Sequence, residues 1–123
     1  MNTNLTVDTL SFNQVFSDKA GSLRREVSRG PNIPTEMKVA HTDYVDSSTK
    51  LKGKRSLLRF DRYIELADNT IAPISAYVVV THPTDSAVTS ADILAVVGHL
   101  LNTLSTGGTG LDLDDEIFVN KEQ

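Results

Sequence analysis

The sequence predicts an α+β fold: an N-terminal β-hairpin and an antiparallel meander sheet, followed by one or two C-terminal helices. Three observations lead there. Strand-like segments come first and helical ones last, an order that puts helices on one face of an antiparallel sheet. Apolar residues alternate with period two in the strand segments, then recur at three- and four-residue steps in Ile93, Val97, Leu100, Leu101 and Leu104. The stretch Ile74 to Leu104 joins a strand that is apolar on both faces to that helix. At about 1.5 Å per residue the helix spans roughly 22 Å. This covers only part of a sheet of five or six strands about 4.8 Å apart. The surplus apolar surface calls for a partner subunit.

The 123 residues are one domain's worth, divided into a hairpin (1–18), a main sheet (22–83) and a helical region (89–119). Leu5 to Asp18 reads as the hairpin, LTVDTL then NQVFSD, with its turn near Ser11-Phe12-Asn13. Lys19-Ala20-Gly21 is a connection, and Ser22 to Ser28 is a polar third strand. Two prolines and a glycine make Arg29 to Pro34 a loop. Met37 to Val45 and Arg55 to Leu66 are long strands, separated by the lysine-rich loop DSSTKLKGK. Ala67 to Pro73 is a further hairpin loop. It leads into the β-branched, aromatic strand Ala76 to Thr81, which Pro83 stops. Thr89 with Asp92 forms a capping box, and Gly107-Gly108 closes the main helix. Leu111 to Val119 can form a second helix, with Asp112, Asp114, Asp115 and Glu116 loading its first turn.

Alternation sorts the two long strands that follow the lysine loop. Leu58, Phe60, Ile64 and Leu66 share a face, with Arg62 the exception, as do Ile74, Ala76, Val78 and Val80. Leu57, Arg59, Asp61, Tyr63 and Glu65 take the opposite face, with Ser75, Tyr77, Val79 and Thr81. Helices belong on the first set. The second set is an open, partly polar sheet surface.

Charge is unevenly spread. Formal net charge is -4, yet 11 of the 12 basic residues lie between Lys19 and Arg62 against five acids there, a local surplus of six. Residues 63–123 carry one base and nine acids. A basic half and an acidic half suggest an electrostatically two-sided molecule, although an unevenly charged solvated surface fits equally well. No run is apolar enough to cross a bilayer, and the polar start MNTNLTVDT has no signal-peptide pattern. Without cysteine there is no disulfide framework and no thiolate metal site. His41, His82 and His99 are scattered, none at a metal-ligand spacing, and read as structural. No phosphate loop or nucleophile elbow is present. TGGTG at Thr106 to Gly110 follows a helix and reads as a cap and linker. No enzyme activity, metal or cofactor is expected.

AYVVVTHP at Ala76 to Pro83 runs into the helix, and MKVAHTDYV is followed by a basic loop and KRSLLRFDRYIEL. In these segments, and in element order over nearly the whole chain, the sequence resembles the coat proteins of single-stranded RNA bacteriophages of the levivirus type. The resemblance implies the RNA phage coat fold: an obligate dimer with two sheets joined edge to edge, each subunit's helices crossing onto the partner's sheet. Val78, Val80, Ile93, Val97, Leu100, Leu101 and Leu104 would form the dimer core. It implies icosahedral assembly around genomic RNA, with an RNA stem-loop bound on the inner sheet face as repressor complex and packaging signal. The setting would be the virion, assembled in the cytoplasm of a bacterial host, with no membrane partner. Carried over by position, the RNA face comprises Lys38, Thr42, Tyr44, Arg59, Asp61, Tyr63, Ser75, Tyr77 and Thr81. Lysine and arginine would meet phosphates, tyrosine would stack on bases, and threonine or serine would read base edges. Tyr63 and Tyr77 also fit ordinary cross-strand packing, and Lys50, Lys52, Lys54 and Arg55 also fit a solvated loop. The loop Asp68, Asn69, Thr70, Ile71, Ala72 and Pro73 would make contacts between dimers. A cellular dimeric RNA- or DNA-binding regulator is the rival reading, since it shares the sheet face but stops at the dimer. A small dimeric α+β enzyme is a third, with no residue that favours it.

Overall fold

The computed structural model describes residues 3–104. In chain order the elements are β1 (Leu5–Val7), β2 (Leu10–Ser17), β3 (Gly21–Glu26), β4 (Thr35–Val45), β5 (Lys52–Glu65), β6 (Ile71–Pro83) and α1 (Ser90–Leu104). The strands form one sheet in sequence order, with every neighbouring pair antiparallel. The chain divides into two compact units, Met1–Pro83 with the sheet and Thr84–Gln123 with the helix. The expected second helix at Leu111 to Val119 and the glycine cap at Gly107-Gly108 lie outside the described residues. No described helix is long and apolar enough to cross a membrane.

Register sorts the side chains, because directly opposed residues of an antiparallel pair share a face. Lys38 opposes Arg59, which opposes Tyr77, and Thr42 opposes Arg55, which opposes Thr81. These residues define face A. Face B carries Met37, Val39 and His41 of β4, then Ser56, Leu58 and Phe60 of β5, then Ala76, Val78 and Val80 of β6.

The core sits on face B, beneath the N-terminal hairpin. Phe12 is 2% exposed and meets Phe60 edge to face, with ring centroids 5.8 Å apart. β2 and β5 are three strands apart, roughly 14 Å in a flat sheet. The ring contact therefore requires the sheet to curl until the hairpin lies over face B. The hairpin also buries polar groups. Arg24, 2% exposed, donates from Nε to the Thr3 carbonyl at 3.1 Å and from Nη1 to Ser22 Oγ at 2.7 Å. Beyond the hairpin, Leu58, Ile74 and Ala76 of face B are exposed.

Three sequence expectations are corrected. The hairpin turn is at Asp8-Thr9, with φ of 50° and 66°, and not near Ser11 to Asn13. A two-residue turn with both φ values positive suits a hairpin, but Asp-Thr lacks the glycine that usually announces one. The turn places Val7 opposite Leu10, so Leu5, Val7, Leu10 and Phe12 share face B despite their phase change in sequence. Lys52, Gly53 and Lys54, read as loop, belong to β5, paired with Val45, Tyr44 and Asp43. Ile71, Ala72 and Pro73, also read as loop, begin β6 opposite Glu65, Ile64 and Tyr63. Pro73 is compatible with β6 because β6 pairs only with β5 among the described residues.

The helix starts as its sequence directs. Thr89 Oγ1 accepts from the Asp92 amide at 3.2 Å, and Asp92 Oδ2 accepts from the Thr89 amide at 3.0 Å. That amide and the Thr89 hydroxyl hold the Asp92 carboxyl below its usual range. None of the residues of α1 is buried within the chain.

Candidate nucleic-acid interface

Face A gathers all nine residues named for RNA contact. They fall in cross-strand rows set by register. One row is Arg25, Glu36, Asp61 and Ser75; the next is Leu23, Lys38, Arg59 and Tyr77. An apolar row of Ala40, Leu57 and Val79 follows, then Thr42, Arg55 and Thr81, then Tyr44 and Gly53. Tyr63 lies beyond the first row, opposite Pro73. The register also fixes Ser75 opposite Asp61 and Tyr77 opposite Arg59.

Two of the basic residues are internally paired. Arg59 Nε donates to Asp61 Oδ1 and Oδ2, each at 3.0 Å, and Arg59 Nη2 donates to Ser75 Oγ at 3.3 Å. The Ser75 hydroxyl in turn donates to Asp61 Oδ1. The Arg59 side chain stays 41% exposed while that of Asp61 is 16% exposed. Arg25 Nη2 pairs with Glu36 Oε2 at 2.9 Å. Lys38 is exposed and makes no ion pair with a described residue. Tyr77 is exposed to 64%, which leaves its ring open to a stacking partner. Tyr63 is more enclosed; burial first, then the neighbouring Glu36 carboxylate, pushes its phenol pKa up.

Arg55, which sequence reasoning sets at the start of the strand Arg55 to Leu66, is missing from its RNA face. It lies on face A between Thr42 and Thr81, with its guanidinium 5.4 Å from the Tyr44 ring centroid. That distance suits a cation–π contact. Gly53 makes the arrangement possible: a Cβ there would sit 2.6 Å from Tyr44 ring atoms. The alternation Leu57, Arg59, Asp61 carried two residues back would have found Arg55. Arg59 and Arg55 are four residues apart on one strand, roughly 13 Å, so the face offers two cationic, aromatic patches across an apolar strip.

The charge surplus of the sequence is shared between the faces. Lys54 is on face B, where it pairs with Asp43 at 3.0 Å. His41 and His82, far apart in sequence, line one open cleft on that side of about 390 Å³, together with Lys54 and Ser56. His41 Nδ1 lies 2.9 Å from Ser56 Oγ. Of the expected inter-dimer segment, Asp68, Asn69 and Thr70 occupy the β5–β6 turn. There Asp68 accepts from the Thr70 amide at 3.1 Å and the Thr70 hydroxyl at 2.6 Å. Of the expected dimer core, Val78 and Val80 are half-buried on face B; Ile93, Val97 and Leu104 are half-buried, and Leu100 and Leu101 exposed.

No protein-family model matches the sequence, and no curated protein matches it. Solved structures do. The bacteriophage EMS014 coat protein aligns at 18% identity over 89% of this chain and 80% of its own, with a TM-score of 0.64. The virus-like particle of Beihai levi-like virus 21 aligns at 12% identity over 100% of this chain and 97% of its own, with a TM-score of 0.60. The virus-like particle of bacteriophage AVE015 aligns at 13% identity over 82% and 71%, with a TM-score of 0.59. The chain has the fold of levi-like RNA phage coat proteins, the α+β architecture predicted from the sequence.

Proposed function

We propose that this chain is a capsid protein of an RNA bacteriophage, a structural protein without catalysis, whose dimers assemble into an icosahedral shell around RNA. The observation that carries the reading is the fold shared with a phage coat protein and two virus-like particles. Sheet chemistry supports it. β6 is thirteen residues long, pairs on one edge only among the described residues, and contains no Lys, Arg, Asp or Glu. Soluble proteins guard such an edge with charge, bulges or a cover; here it is free to pair with β6 of a second copy and make one continuous sheet. The apolar stripe of α1 and the bare part of face B are then complementary between copies, each helix covering the partner's sheet.

Pairing through β6 would also double face A, setting two copies of Lys38, Arg59 and Tyr77 around a twofold axis. Lys38 and Arg55 supply charge for phosphates, and Tyr77 a flat surface for an unpaired base. This is the chemistry of an RNA stem-loop site inside a shell. The test is expression of the chain alone in bacteria, followed by size exclusion, negative-stain microscopy and absorbance at 260 and 280 nm. Uniform shells carrying RNA are expected. A clean RNA-free dimer would overturn the shell and transfer the chain to the class of dimeric regulators.

A further inference from the structure

Resting on the reading of face A as an RNA surface, the Arg59–Asp61–Ser75 cluster assigns that surface a base preference. A carboxylate in the middle of a phosphate-binding face is unfavourable unless it serves another purpose. Asp61 has one: its two oxygens take Arg59 Nε, and Ser75 takes Nη2. Nε and Nη2 are the side edge of the guanidinium fork. Two of the five N–H groups of an arginine are thereby spent within the protein, and the end edge between Nη1 and Nη2 has no further partner among the described residues on a side chain that is 41% exposed.

The clamp changes what Arg59 can hold. A phosphate at the end edge would feel the arginine's attraction reduced by the carboxylate bonded to it, whereas a neutral base would not be repelled. Between the purines, which stack over the larger area on a tyrosine ring, guanine presents two adjacent acceptors, O6 and N7, to such a fork, while adenine presents one acceptor beside a donor. Unpaired cytosine offers O2 and N3 but stacks over a smaller area, and uracil offers one acceptor beside a different group. Tyr77 lies directly opposite Arg59 and is open, so a base stacked on its ring brings its edge to the fork. We propose that Arg59, held by Asp61 and Ser75, reads an unpaired guanine stacked on Tyr77, and that Lys38 and Arg55 hold the phosphates. Asp61 and Ser75 are positioning residues in this arrangement and do not themselves read bases.

The test uses the purified, assembled protein taken to dimers. The probes are labelled single-stranded RNAs of about twelve nucleotides, within the usual range of single-strand site sizes. One is uridine throughout and the other has a single central guanosine. Wild type should favour the guanosine probe about tenfold, the scale of one bidentate base contact. Arg59→Lys keeps the charge and loses the fork. It should erase the preference, bringing the guanosine probe down to the affinity of the all-uridine probe. Lys38→Gln should keep the preference and lower the log–log salt slope by about 0.7. Asp61→Asn should steepen that slope, because the freed arginine charge then serves phosphates, and should weaken the guanosine preference. Equal binding of both probes by wild type, with Arg59→Gln flattening the salt slope as Lys38→Gln does, would make Arg59 a phosphate anchor and overturn the inference alone. Failure of both probes to bind would overturn the RNA face itself and the guanine reading with it.

Discussion

The two faces of this sheet are built from the same strands by the same alternation, yet they solve opposite problems. Face B hides what it carries: Phe12 and Phe60 meet beneath the hairpin, and Arg24 is enclosed with the Thr3 carbonyl and Ser22 as partners. Face A displays what it carries: Arg59 is also hydrogen-bonded to a serine, but its side chain stays 41% exposed. An arginine under a hairpin is a structural part whose bonds offset its burial. An arginine clamped in the open keeps part of its guanidinium accessible to solvent. Face B also differs from itself. Its hairpin-covered half is packed, whereas Leu58, Ile74 and Ala76 along β5 and β6 are exposed. What the hairpin does for one half, the proposed second copy would do for the other.

The largest expected effect comes from breaking that second cover. Val97→Asp or Leu101→Asp places a charge in the helix stripe, which costs several kcal/mol if the stripe is buried without a partner for the charge. Loss of soluble dimer, and of any shell, is the expected outcome by size exclusion. A folded, dimeric Val97→Asp protein would mean the helix covers nothing. Next in size is Phe12→Ala, which empties the packed half of face B. Truncating a buried phenylalanine costs about 3–5 kcal/mol, read as a lowered denaturation midpoint. A loss below about 1 kcal/mol would show that the hairpin is not held through Phe12.

Face A should respond in the other currency. Tyr77→Ala is expected to leave denaturation and dimer size unchanged and to weaken single-stranded RNA by about 1–3 kcal/mol, the range for one stacked base. Titration of labelled RNA into dimers measures it. If the variant instead lost its dimer, Tyr77 would be a packing residue of the β6 edge and the separation of the faces would fail.

Much of this division was legible in the sequence, because period two is a geometric property of strands. Leu57 to Tyr63 and Ser75 to Thr81 were sorted to the correct faces before any register was known. The helix start was equally plain, since Thr89 and Asp92 act on each other locally. What escaped depended on special or long-range geometry. The Asp8-Thr9 turn needs positive φ at two non-glycine residues, one of them β-branched, which local rules discourage. Arg55 was grouped with Lys50, Lys52 and Lys54 although it opens the expected strand, and it is the register with Thr42 and Thr81 that ties it to face A. The Arg59–Asp61–Ser75 clamp needed the β5–β6 register, which brings Ser75 beside Asp61 from fourteen residues away.

The smallest expected effect concerns a part that belongs to neither face. Asp46 organises the β4–β5 turn: its Oδ1 accepts from the Ser48 amide at 2.8 Å, the Ser48 hydroxyl at 2.7 Å and the Thr49 amide at 3.0 Å. The Ser48 hydroxyl bond first, then the two amides, lowers its carboxyl from 3.8 to about 2. A carboxyl depressed by folding contributes stability above its unfolded pKa, and that contribution is lost as pH falls through the folded value. The turn should therefore stay ordered at pH 4 and loosen only towards pH 2. Amide shifts of Ser48 and Thr49 should titrate with a midpoint near 2, and a midpoint near 3.8 would show that the carboxylate is not the acceptor there. Because the group is solvent-exposed, the effect should remain local: Asp46→Ala should alter these two amides and leave both the denaturation midpoint and RNA affinity unchanged. A shift in RNA affinity from this variant would mean that the order of face A depends on the turn at its end, making the turn part of the site and not merely its boundary.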